Sequence, residues 1–246
     1  MKLLLISIVV GLLSCAVITR PKGNTLTSVR ITKLFPDIDQ RGKFKGFDTT
    51  IVDLYFYGDF RIYRMPGRQD TIMNGLVQSL GMVDGYLIHH KDSLYGRMFH
   101  QTFREYNKRV RIETDTYITK FSDLHLQEVF EGMNMQLLNS RSSKDSGTLK
   151  EVYHFMYPVD TSQKGILSLN YSHEFDNIPF HLSPYIDSIK DNKLYHYKMI
   201  TFGRPVAKYK IVLDTLVASV HMERINNPHK DKIMELIEMY MKDHSR

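Results

Sequence analysis

An α+β fold, predominantly β, is what the sequence predicts. Its expected form is a curved antiparallel sheet, with a half-barrel among the variants, carrying one internal helix and a C-terminal helix packed on it. Three observations lead there. Tyr and Phe are plentiful, 15 and 13 residues, while Trp is absent, and these aromatics fall with β-branched residues in short alternating runs that suit a pleated, half-buried surface. Turn-forming residues separate the runs at hairpin spacing. Only two stretches carry a helical apolar period. A hydrophobic content of 42% and a charged content of 24% are ordinary for a packed body, so disorder is not expected for the bulk of the chain.

Arg20-Pro21-Lys22-Gly23-Asn24-Thr25 is polar and turn-forming. Residues 15–40 are therefore expected to form a tether leading into a single β-rich domain over residues 41–246. Thr49 to Tyr57 is β-branched and aromatic, and Phe60 to Met65 alternates until Pro66-Gly67, so a hairpin through Gly58-Asp59 is predicted. Thr71 to Met82 is apolar with Gly75 and Gly81 inside it, and its type is left open. Gly85 to His90 should pair with Leu94 to Phe99 across Lys91-Asp92-Ser93, and Val110 to Phe121 reads as a long strand. Ser122 can cap a helix whose stripe is Leu126, Phe130, Met133 and Leu137, a core face by its spacing.

The polar run Ser140 to Gly147 is where a subdivision of the domain is expected. Val152 to Tyr157 and Ile166 to Tyr171 form the next predicted hairpin, joined through residues 158–165. Ile178 to Ile189, with Pro179 and Pro184, is expected to be an irregular crossing. Leu194 to Phe202, Lys208 to Leu213 and Leu216 to Met222 read as three further strands. Asn227 can cap the terminal helix with Pro228 at its first position, leaving Ile233, Leu236, Ile237, Tyr240 and Met241 as a stripe that must dock on the sheet.

At the other end of the chain, Lys2 precedes an uncharged apolar run from Leu3 to Leu13. Its length is that of a signal-peptide core and falls short of the roughly 20 residues of a membrane span. Leu12-Leu13-Ser14-Cys15 follows directly, and these residues resemble the lipobox of bacterial lipoproteins: apolar at the first position, small before the cysteine, then the cysteine itself. Leu13 departs from the smaller residue usual there. The resemblance implies a signal peptide over residues 1–14, a diacylglyceryl group on the Cys15 thiol, and an acylated new amino terminus, palmitate being a fitting chain. It also implies attachment to the bacterial cell envelope, at the outer membrane or facing the periplasm. Two alternatives stand beside it: a secretory signal cut near Ala16, which releases the chain, and a short uncleaved anchor reaching Ile18. Cys15 is the only cysteine, so disulfides and thiolate metal clusters are excluded from the rest of the chain. The strand pairs around Lys91-Asp92-Ser93-Leu94-Tyr95-Gly96 are similar in style to those of envelope proteins of Bacteroidota.

The formal net charge is +6, but Lys and Arg are scattered, and the densest run, Arg104 to Arg111, is interrupted by Glu105. That pattern fits a solvated strand face better than a phosphate site, and no nucleic-acid partner is expected. No Gly-x-Ser-x-Gly elbow, Ser-x-x-Lys set, phosphate-binding loop or His-Glu-x-x-His pair occurs. His173, Glu174 and Asp176 lie within four positions and are the candidates for a metal such as zinc. Against them, His173 and Glu174 point apart on a strand and converge only in a turn. His89 and His90 meet the same objection, and exposed histidines on strand ends are the plainer reading, His100, His125, His154 and His196 included. Glu113 and Asp115 share a strand face, the arrangement of alternating charges on an exposed strand more often than of an acid–base pair.

No cofactor and no catalytic residue is called. The expected role is non-enzymatic: a membrane-anchored envelope protein that binds a lipid, a cell-wall component or an envelope protein. At fold level it is similar to the half-barrel of lipoprotein carriers, whose concave aromatic face takes an apolar ligand. The alternative is an envelope hydrolase with a His/carboxylate or metal site at His173, Glu174 and Asp176.

Overall fold

The computed structural model describes residues 25–73, 76–100, 105–111, 130, 132–143, 145–158, 160–190, 192–227 and 229–244. Alternating runs give six strands in succession: β1 (Thr27–Ile38), β2 (Phe44–Tyr57), β3 (Phe60–Met73), β4 (Leu76–His90), β5 (Tyr95–His100) and β6 (Glu105–Arg111). A second succession holds β7 (Asn134–Ser143), β8 (Thr148–Tyr157), β9 (Asp160–Ser172), the short helix α1 (Pro184–Ile189) and β10 (Lys193–Thr201). The small strands β11 (Arg204–Val206) and β12 (Ile211–Leu213), then β13 (Leu216–Arg224) and helix α2 (Lys230–His244), complete the chain. Each succession is a meander of antiparallel neighbours. The two are welded by β1 against β13, giving one 11-stranded sheet in the order β6-β5-β4-β3-β2-β1-β13-β10-β9-β8-β7, which does not close on itself. The fold is α+β and predominantly β, as expected.

Strand alternation sends successive side chains to opposite faces. Val29, Ile31, Val52, Leu54, Leu167, Leu169, Tyr197 and Val220 are buried on one face, here termed inner, together with Phe130 and with Ile178, Phe180, Leu182 and Ile186 from the segment before β10. The opposite, outer face carries Tyr55, Tyr57, Ile62, Tyr86 and Ile88, and against them α2 buries Ile233, Leu236, Ile237 and Tyr240. The C-terminal helix thus docks through the predicted stripe, and Asn227 Oδ1 accepts the His229 N–H at 2.9 Å at its start. The hairpin through Gly58-Asp59 forms with Tyr57 opposite Phe60, Gly58 taking a left-handed φ of 56°.

Several expectations change. The tether expected to reach residue 40 has ended by Thr27, because residues 27–38 form β1 in the middle of the sheet. Pro36 does not prevent this: it lies past the last β13 pair, Leu34 with Ser219, where β1 has become an edge. Pro66 and Gly67 do not end β3; they pair with Asp84 and Val83 in a long hairpin with β4, which also types the described residues of the open segment, 71–73 and 76–82, as strand. The run Ser140 to Gly147 is no boundary but a β7–β8 hairpin within the one sheet, Ser143 pairing with Thr148.

The internal helix expected through Leu137 has its first residues outside the described ones. Phe130 is helical, Gly132 takes a φ of 75°, and Leu137 lies in β7 opposite Tyr153. The left-handed glycine ends the helix before the stripe is complete. The irregular crossing contains α1, with Ser183 as cap and Pro184 at the start. Lys208 lies in a 3-10 turn between β11 and β12 rather than in a strand. Beyond Arg111, the predicted long strand lies outside the described residues.

Candidate functional site

Register places a chemically mixed row across the inner face. Lys33 on β1 is opposite Val220 on β13, Val220 opposite Tyr197 on β10, Tyr197 opposite Leu169 on β9, and Leu169 opposite Glu151 on β8. Lys33, Tyr197 and Glu151 are therefore spaced two strands apart, roughly 10 Å each, on an otherwise apolar surface. All three are buried.

Each end of the row is held differently. The Lys33 ammonium lies 4.1 Å from the centre of the Phe35 ring, which stabilises a desolvated cation through the ring's negative face. Glu151 accepts from Lys190 Nζ at 2.8 Å and from the Tyr153 hydroxyl at 2.7 Å. Burial alone would raise the Glu151 pKa; the hydrogen bonds from Lys190 and Tyr153 outweigh it and hold the carboxyl below its ordinary value. A carboxylate so committed is a structural anion, not an acid ready to transfer a proton.

The middle of the row differs. Tyr197 has no exposed surface, its ring meets Phe130 edge-on at 5.6 Å, and among the described residues its hydroxyl has no hydrogen-bond partner. Burial raises its pKa, so the group is a neutral phenol with one hydrogen bond to donate. Half-buried against the same inner core are Phe35, Met133, Met135, Tyr153, Tyr157 and Met199 among others. Methionine is unbranched and polarizable, so this rim can repack around an apolar guest.

The candidates named from sequence separate. His173 Nδ1 bonds Asp176 Oδ2 at 2.9 Å, both side chains being about half exposed, while Glu174 turns to Arg224 at 3.4 Å. The turn after β9 brings His and Asp together and sends Glu elsewhere. Among the described residues no group of three or more His, Cys, Asp or Glu could hold a metal ion. His89 is not an exposed strand-end histidine: it is buried, with Nε2 3.2 Å from the Tyr63 hydroxyl and the two rings stacked. His90 points the other way, beside Phe60. His196 is likewise a half-buried mid-strand residue paired with His221. Cys15, Glu113, Asp115 and His125 lie outside the described residues.

Sequence reasoning missed Lys33, Tyr197 and Glu151. Lysine at position 33 and glutamate at 151 break the apolar alternation of their strands, which was the only available signal; their alignment with Tyr197 needs the cross-strand register. A groove of about 860 Å³ also opens where residue 25 enters the fold, lined by Leu26, Tyr57 and the polar side of α2, including Lys230, Asp231 and Glu238. Among the described residues no helix is long and apolar enough to cross a membrane.

No family model and no curated protein matches the chain. Among solved structures, the crystal structure of a LolA superfamily protein from Nitrosomonas europaea aligns with 87% of this chain and 91% of that one, at 12% identity and a TM-score of 0.24, a superposition too loose to bear on fold or function.

Proposed function

We propose that this chain is a bacterial envelope lipoprotein, anchored through acyl groups on Cys15, whose inner sheet face binds an apolar ligand bearing an oxygen-containing head, without catalysing a reaction. The observation that carries the ligand reading is the Tyr197 hydroxyl. A buried hydroxyl without a partner costs about 1–3 kcal/mol, and a guest oxygen placed against it removes that cost. The methionine and aromatic rim supplies the adaptable apolar wall, and the Lys33 ammonium, lying over Phe35, reaches towards the same rim. The anchor reading rests on Leu12-Leu13-Ser14-Cys15. Two acyl chains suffice for lasting attachment, each buried methylene contributing about 0.8 kcal/mol.

Binding is tested with an environment-sensitive fluorescent fatty acid, displaced by unlabelled lipids. Tyr197→Phe should weaken binding about tenfold and leave the stability of the free protein unchanged or slightly higher, since the orphan hydroxyl is gone. Saturable binding that is indifferent to this substitution removes Tyr197 from the site; no saturable binding removes the ligand reading. Incorporation of labelled palmitate, abolished by Cys15→Ser and by globomycin, tests the anchor separately.

A further inference from the structure

On the outer face, behind the Lys33–Tyr197 row, two lysines flank His196, and Glu223 and Asp53 of the same face lie towards Arg30. This part of the sheet is not among the residues that α2 packs on, which belong to β2–β5. His196 is directly opposite His221 on β13 and Asn170 on β9, and the two imidazole rings meet nearly at right angles with centres 5.3 Å apart. Asn170 Nδ2 donates to His196 Nδ1 at 3.1 Å. The proton of the neutral imidazole therefore sits on Nε2 and remains available.

Lys150 lies opposite Asn170, and Lys198 lies opposite both Ser168 and Ser219. Both lysines are exposed, and among the described residues neither is in an ion pair. With strands about 4.8 Å apart and same-face residues about 6.8 Å apart, the two stems start roughly 12 Å from each other. Both ammonium groups can close over Ser168, Asn170 and His196.

The other groups facing His196 are Thr32 of β1, opposite His221, and the ring of Tyr195, 6.5 Å away at the bulge in β10. Of the acids nearest to it on this face, Asp53 bonds Arg30 at 2.7 Å, and Glu223, two residues beyond His221 on β13, lies opposite Arg30 and interacts with its charge. Burial first, then His221, Lys150 and Lys198, lower the His196 pKa. A metal cation would add to this repulsion, whereas an oxyanion relieves it.

We propose that Lys150, Lys198 and His196 form a binding site for a phosphate oxyanion, seated over Ser168 and Asn170. The site is on the opposite face from the apolar-ligand surface and does not depend on it. The shared chemistry fits a phosphodiester, from a lipid headgroup or from a free, water-soluble diester. A bound diester favours protonated His196, so affinity rises as pH falls through the ordinary histidine range.

Calorimetric titration of the full chain with glycerophosphoglycerol, and with dihexanoyl-phosphatidylglycerol below its micelle concentration, distinguishes the two sources; the charge of both probes is constant over the range. The expected result is saturable binding that weakens about tenfold in Lys150→Gln and in Lys198→Gln. It should also tighten from about pH 7.5 to about pH 5.5, and His196→Gln should abolish the tightening. Binding of the soluble diester with these losses identifies a free phosphate as sufficient; the same losses with the lipid alone identify a headgroup. No saturable binding of either probe at the lower pH, or binding untouched by both lysine substitutions, overturns the proposal. The lysines are exposed, so their replacement leaves the fold intact.

Discussion

Asp53 illustrates what a buried charge on a sheet face requires. It is 3% exposed, and Arg30 grips both of its oxygens while Arg64 adds a third bond at 2.9 Å. Taking the carboxylate away leaves two guanidinium groups repelling each other from β1 and β3, on either side of β2. Asp53→Ala should therefore destabilise the fold by about 3 kcal/mol, read from urea denaturation midpoints; a loss near zero would mean water already satisfies the pair of arginines.

His196 sets a pH dependence at the same scale. Its folded-state pKa is lowered from the ordinary 6.5, so the unfolded chain takes up the proton first. Its contribution is fully present above the unfolded value and lost as pH falls through the folded one. Glu151, also lowered, contributes above its ordinary 4.5 and is lost at still lower pH. Thermal midpoints measured down the pH scale in a phosphate-free buffer should drop in two stages, and His196→Gln should remove the upper stage alone.

Among the elements, hairpins declared by turn residues were legible: Gly58-Asp59 and Lys91-Asp92-Ser93 each lie where strands reverse. The α2 stripe was equally plain, because five apolar residues at helical spacing have one place to go. Elements were missed where a local signal is overridden by pairing. Pro66-Gly67 reads as a stop, yet β4 supplies partners across it. The stripe through Leu137 reads as helix, yet the left-handed Gly132 turns the chain into an edge strand against β8. Gly165 was passed over as a loop residue although it lies within β9, and a Cβ there would sit 1.8 Å from the Ile200 carbonyl oxygen. Gly165→Ala should accordingly cost about 1–3 kcal/mol by forcing β9 and β10 apart, and a variant as stable as the parent would show that the two strands separate freely.

At the scale of the whole molecule, one contact unites the halves. Val29 pairs with Arg224 and Leu34 with Ser219, so β1 and β13, far apart in the chain, make a single sheet of two meanders. No local pattern announces that pairing, so the residues of β1 read as tether and neither face's polar row is visible in the sequence. The weld gives the two faces distinct characters. Inside, an apolar wall holds the Tyr197 phenol, without a hydrogen-bond partner among the described residues; outside, Lys150 and Lys198 stand beside His196 and His221. The proposed ligand-binding role rests on the first of these, and the proposed anchor on Leu12-Leu13-Ser14-Cys15.

Mass spectrometry of lipids extracted from the natively purified chain tests that claim most directly. The account expects a defined lipid class at about one molecule per chain, depleted in Tyr197→Phe and retained in Lys150→Gln. Extracts indistinguishable from those of an unrelated protein purified in the same way would contradict it.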